Sequence, residues 1–336
     1  MLAITSQISL RAQTNEGGPN FQEVYDVIRQ HAAGVSDAEL NRAAIQGLVT
    51  ALGPKVALVT NNSSESADAS QPLKQTTIFE SDIAYLRIGS VQEGLAKDIR
   101  AAYDQLKSTN KVSGIVLDLR YADGSGYAAA AAVADLFVAK SQPLLNEGKG
   151  VISSREKKDA LTVPVAVLVN HKTAGAAEAL AAMIRETGAG LILGSPTAGA
   201  AMVTQDYPLK DGEILRIGTS PVTLGDGKAM SGQGLKPDID VTVSEKAERA
   251  FYADSFLVAP NTNRVAGSTN APNATNESYY RLNEAELVRE HKAGENPEEQ
   301  TAKRPPERQA PVVSDPALAR ALDLLKGLAV VRSGNS

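Results

Sequence analysis

The chain has 336 residues, enough for one large domain or two ordinary ones, and 43% of them are hydrophobic, enough for a sizeable core. A net charge of −5 argues against nucleic acid as the main partner, because phosphate binding needs a basic face. There is no cysteine, which excludes disulfides, zinc thiolates and a cysteine nucleophile; His31, His171 and His291 lie far apart, so neither a metal site nor a cofactor is expected.

Residues 1–13 (MLAITSQISLRAQ) read either as a signal-peptide remnant or as a frayed end. Residues 20–60 form an N-terminal helical region. Phe21, Val24, Tyr25, Val27 and Ile28 repeat with helical spacing, and Ser36 with Glu39 predicts a capping box for a second helix through Leu48. The polar stretch 61–75 reads as a linker. In residues 80–245 strands and helices alternate: IAYLRI from Ile83, a helix from Val91, GIVLDL from Gly114, a helix from Tyr127, VPVAVLVN from Val163, a helix from Ala174 and a strand from Gly190. That alternation predicts an α/β core with parallel strands. Residues 259–314 are rich in Asn, Pro and Glu and read as an extended polar linker, with a short helix over Tyr279 to His291. The sequons at Asn273 and Asn276 fall in that stretch and carry little weight. Over 315–332, Pro316 at the first helical position and Leu318, Leu322 and Leu325 on one face predict a terminal helix that docks on its own domain or on another subunit.

Four segments carry a resemblance. GIVLDLRYADGSGYAAAAAVADLF, VPVAVLVNHKTAGAAEALAAMI, LGSPTAGAAMVTQDYPLKDGEILRI and SGQGLKPDIDV are similar, in order and spacing, to the C-terminal processing (tail-specific) serine peptidases of the Ser/Lys type. The resemblance implies the family's mixed α/β core, a crotonase/ClpP-like ββα spiral, here with an N-terminal helical pair and a C-terminal tail helix. It also implies that residues 61–75 stand where the family carries a PDZ module.

Carried over position by position, the resemblance removes the chemistry. The nucleophile of S-A-S-A-S-E, three residues before Glu178, falls on Gly175. The base of G-K-G falls on Ala200, the glutamine that orients it on Thr204, and a neighbouring carboxylate on Glu186. Gly124 is kept in the oxyanion turn, followed by Ser125. A lysine base must be desolvated to accept a proton, and neither glycine nor alanine can replace the pair. The resemblance therefore implies a proteolytically inactive, peptide-binding or scaffold/regulatory subunit, periplasmic or secreted. Its partners would be a peptide or protein tail or a paralogous active peptidase, with homo-oligomers possible and no transmembrane span. On this alignment, Gly175→Ser with Ala200→Lys is expected to restore cleavage if the pocket is intact.

The alternative is an active serine-type endopeptidase or hydrolase with a relocated nucleophile, Thr173 or Ser125. For Thr173 the competing reading is the N-cap of a helix starting at Ala174. His171 and Lys172 are expected in an exposed loop, where lysine stays protonated. Glu178 is expected to hold backbone N–H groups, Arg120 to pair with Asp118, and the Gly124–Ser125 amides to be able to bind a carbonyl or carboxylate.

Overall fold

A computed structural model describes residues 18–59, 71–256 and 313–334. Among them, chain order runs α1 (Phe21–His31), α2 (Asp37–Leu52), a 3-10 turn (Gly53–Lys55), β1 (Val56–Val59), β2 (Leu73–Phe79), β3 (Ile83–Ile88), α3 (Leu95–Thr109), β4 (Gly114–Asp118) and α4 (Tyr127–Asp135). There follow β5 (Pro143–Asn146), β6 (Val151–Ser153), β7 (Val165–Val169), α5 (Ala176–Glu186), β8 (Gly190–Gly194), β9 (Met202–Pro208), β10 (Ile214–Pro221), β11 (Thr223–Leu224) and β12 (Ile239–Asp240). The last described elements are α6 (Glu245–Ala253) and α7 (Pro316–Gly334). Residues 1–13, the sequons, and the helix expected over Tyr279 to His291 lie outside the described residues.

The chain divides into two compact units, one containing residues up to Ser64 with Met202–Ser220, the other containing the rest. In the first unit, β10 lies between β1 and β9, and β1 pairs with it antiparallel. The Ser36–Glu39 capping box forms in full: the Ser36 hydroxyl accepts from Glu39 N and the Glu39 carboxylate accepts from Ser36 N. Neither α1 nor α2 buries a residue, and Phe21, Val27, Ile45 and Leu48 are about half exposed.

The second unit is built on a six-stranded sheet of order β12-β8-β7-β4-β3-β2. All its pairings are parallel except β2–β3. β4 and β7 are buried at every residue, as strands covered on both faces must be. On one face α3, α4 and α5 pack side by side. On the other, Ala317, Leu318, Ala321, Leu322 and Leu325 of α7 pack on Tyr85, Val116, Ala166 and Leu168. The terminal helix thus docks on its own sheet.

Three sequence expectations change. The stretch 61–75 is not loop to its end, because β2 starts at Leu73 and pairs with β3. The helix expected at Ala174 starts at Ala176, after a glycine turn. An unexpected helix, α6, opens on Ser244, whose hydroxyl accepts from Ala247 N, with Glu245 and Glu248 in its first turn.

Candidate active site

The loops after β4 and β7 leave the carboxyl ends of neighbouring parallel strands, the place where open α/β sheets build their sites. The first loop starts with Asp118 and Arg120, both fully buried. Arg120 donates from Nε to Asp118 Oδ1 at 3.0 Å and from Nη2 to Oδ2 at 2.6 Å, which is the pair expected from sequence. Tyr85 also donates to Asp118 Oδ2, at 2.6 Å. Burial pushes the Asp118 carboxyl up, but the charge and hydrogen bonds of Arg120 outweigh it and hold the group below the usual carboxylate range. A second buried carboxylate, Asp315, sits 2.8 Å from Arg120 Nη1 as a charge contact without hydrogen-bond orientation.

Tyr121 follows at φ 59, a left-handed conformation uncommon for an aromatic residue. Its N–H donates to Asn170 Oδ1 at 3.2 Å, and its ring meets Tyr252 of α6 edge-on, with centroids 4.9 Å apart. Asn170 and the Tyr121 hydroxyl both donate to Glu248. Tyr252 and Glu248 belong to the helix that sequence reading missed; the Ser244 cap and the acidic first turn were the signals that could have found it.

The second loop supplies the position aligned with a nucleophile. Gly175 is buried, caps α5, and adopts φ 60, ψ −123. A strained strand-to-helix turn of this kind is what raises a nucleophile above a sheet. The space for a side chain, however, is occupied. A Cβ on Gly175 would lie 2.4 Å from the Gly124 carbonyl oxygen, which accepts a 2.8 Å hydrogen bond from Ala176 N. Gly124 itself has φ 142, and a Cβ there would lie 2.5 Å from Val91 O. Two glycines therefore allow a backbone carbonyl to cap the helix where a reacting group would otherwise sit. This corrects the expected rescue: Gly175→Ser cannot be installed without moving the Gly124 peptide.

Glu178 occupies the rest of the helix start. Its Oε2 accepts from Gly175 N (3.0 Å) and Ala200 N (2.7 Å), and its Oε1 from Gly199 N (2.7 Å) and the Thr197 hydroxyl. The Thr197 hydroxyl in turn accepts from Leu235 N at 2.7 Å. The backbone N–H groups of Gly175 and Ala200, the aligned nucleophile and base positions, thus meet at one carboxylate oxygen. Thr204 is exposed on β9, in the other unit. Glu186 is exposed at the far end of α5, about 15 Å from its start at 1.5 Å per residue, too far to serve the site.

Thr173 is not the N-cap expected of it. Its buried hydroxyl donates to Leu119 O at 2.8 Å and accepts from Asn170 N at 3.0 Å. With Ala174 N bonded to Ala122 O and Ala198 N to Thr173 O, this stretch ties three loops together. His171 and Lys172 are exposed, as expected; the nearest acid to His171 is Glu245 at 4.0 Å. Ser125 is exposed on the turn beside Gly124. Among the described residues no cluster of His, Asp or Glu could hold a metal ion.

A mostly parallel sheet with a glycine turn over its carboxyl edge defines an α/β protein with its candidate site at the strand ends. Residues 82–241 match peptidase family S41; they form a domain of that family, and the chain is a relative of the C-terminal processing peptidases. It is 28% identical over 240 residues to the carboxy-terminal processing protease CtpA of Bacillus subtilis, covering 70% of this chain and 47% of the relative. It is 32% identical over 170 residues to a carboxy-terminal-processing protease of Bartonella bacilliformis, covering 48% of this chain and 39% of the relative. The chain thus spans less than half the length of these curated relatives. A solved structure from Parabacteroides merdae shares the fold at a TM-score of 0.50 and 15% identity, covering 68% of this chain and 84% of that one.

Proposed function

We propose that this chain is a proteolytically inactive member of the tail-specific peptidase group, acting as a peptide-binding or scaffold subunit in a bacterial envelope. The observation that carries the reading is the Gly124 carbonyl, bonded to the start of α5 in the space that a Gly175 side chain would need. An acyl-transfer site needs a nucleophile, a base, and free N–H donors for the developing oxyanion. Here the first two positions are Gly175 and Ala200, which supply neither a nucleophile nor a base. The helix-start amides of Gly175, Ala176 and Ala200 are engaged within the protein, which leaves only the Gly124–Ser125 turn to bind a carbonyl.

An assembly role draws support from the half-exposed apolar residues of α1 and α2. The tail helix gives none, because its apolar face is covered by its own sheet. None of the described helices is long and apolar enough to cross a membrane.

The test is a cleavage assay on an unfolded protein with an apolar C-terminal tail. The native chain is expected to leave it intact, and Gly175→Ser/Ala200→Lys is expected to stay inactive because the Gly124 carbonyl blocks the new side chain. Cleavage by the native chain would overturn the proposal, and its loss in Thr173→Ala or Ser125→Ala would locate the relocated nucleophile. The geometry opposes Thr173, whose hydroxyl proton already goes to Leu119 O.

A further inference from the structure

β2 is the terminal strand of the six-stranded sheet, so one of its backbone edges faces no strand among the described residues. Gln75, Thr77 and Phe79 lie opposite Arg87, Tyr85 and Ile83, and so share with them the face that α7 covers. Beside this edge runs a groove of about 820 Å³, with apolar walls from Ile78, Phe79, Phe256, Val313 and Leu322. The Phe79 and Phe256 rings lie 5.7 Å apart, and Phe256 is 40% exposed. Gln75 also lines a second hollow of about 210 Å³, together with Lys74, Arg87 and Tyr252.

Charge along β2 is polarised, basic beside the second hollow and acidic at the far end of the groove. At one end Arg87 stacks on Tyr252, 4.1 Å from the ring centroid, and donates from Nε to the Tyr85 hydroxyl at 2.8 Å. The aliphatic stem of Lys74 lies across Gly89, where any Cβ would strike it. Among the described residues no carboxylate makes an ion-pair contact with either cation; Arg87 acts on Asp118 only at longer range, through the Tyr85 hydroxyl, and the Asp118 oxygens are held by Arg120 and Tyr85. At the other end stand Glu80, which pairs with Lys326, and Asp323. An open strand edge, an apolar wall and a lysine without an acidic partner among the described residues, beside the half-buried Arg87, are the elements of β-strand addition with capture of a terminal carboxylate.

We propose that the β2 edge binds the extended apolar C-terminal end of another protein chain, running antiparallel to β2 with its carboxylate between Lys74 and Arg87. This rests on the peptide-binding half of the proposed function and moves recognition away from the closed turn at Gly175.

The test is anisotropy titration of the full chain with a dye-labelled peptide that has an apolar C-terminal end and a free carboxylate. Saturable binding is expected. It should weaken by about tenfold or more when the peptide ends in an amide or when the protein carries Lys74→Glu, the scale of one charge-assisted contact. Phe256→Ser should weaken it as well. Lys74 and Phe256 are both exposed, so these variants keep the core intact. Equal binding of acid and amide, or indifference to both substitutions, would overturn the proposal. Binding that appears only after residues 257–312 are replaced by a short linker would assign the groove to that segment of the chain instead. Binding lost in Ser125→Pro but not in Lys74→Glu would return recognition to the Gly124 turn, leaving the proposed function standing. No binding by any form would remove the groove and peptide recognition together, and the cleavage assay would then stand alone.

Discussion

Glu178 accepts from four donors in two different segments, the start of α5 and residues 197–200, and these buried or part-buried donors would be stranded without it. A buried donor left without a partner costs about 1–3 kcal/mol. Glu178→Gln keeps the shape but turns an acceptor into an amide that faces N–H groups. It is expected to lower unfolding stability by about 2–4 kcal/mol in urea titrations, the sum of one or two such losses; a change below 0.5 kcal/mol would remove Glu178 from the centre of the site. At this scale the sequence was partly legible. The adjacency of Gly175 and Ala200 followed from motif spacing, and the Arg120–Asp118 pair from their proximity in the chain. The Gly124 carbonyl did not follow, because residue types report that an unusual φ is permitted but not which way a peptide plane turns.

α7 is held by two different forces. Its leucines bury an apolar stripe, and Asp315 caps its start by accepting from Ala317 N at 3.0 Å and Leu318 N at 3.3 Å. The other Asp315 oxygen faces Arg120. The two roles are separable. Asp315→Ala removes both cap and charge and is expected to cost about 2–5 kcal/mol, whereas Asp315→Asn keeps a capping oxygen and should recover about 1 kcal/mol of that. Equal thermal midpoints for the two variants would deny the cap any share. The sequence predicted this helix from its period and Pro316, but not its tie to Arg120, since nearly two hundred residues separate the two. α6 escaped notice for a different reason: with nine residues and a single buried side chain, Phe251, it offers little apolar periodicity.

Across the molecule, the buried ionic and phenolic groups set the pH range of stability. Asp118 has a lowered pKa in the fold, so its contribution is fully present above its ordinary value of 3.8 and is lost as pH falls through the lower folded-state value. Tyr121 and Tyr252 are pushed up to about 12, chiefly by burial and then by the charge of Glu248 and Asp118 respectively. For these raised groups the contribution is complete below pH 10 and disappears between 10 and about 12. Urea midpoints should therefore fall at both extremes. Asp118→Asn should be weaker at neutral pH with a flatter acid limb, and Tyr252→Phe should flatten the alkaline limb; limbs unchanged by these substitutions would contradict the assignment. The alternation of strands and helices made this α/β architecture readable, because a sheet covered on both faces needs near-continuous apolar runs such as those of β4 and β7. Short strands such as β1, β5 and β6 carry too few residues to show a period. The order of assembly has a consequence during synthesis. The sheet that α7 covers is complete once β12 has been made, yet α7 starts only about 75 residues later. At ribosomal speeds of about 5–20 residues per second, that leaves an oily surface bare for roughly 4–15 seconds, a long window for a chaperone to find it and for neighbouring nascent chains to stick to it.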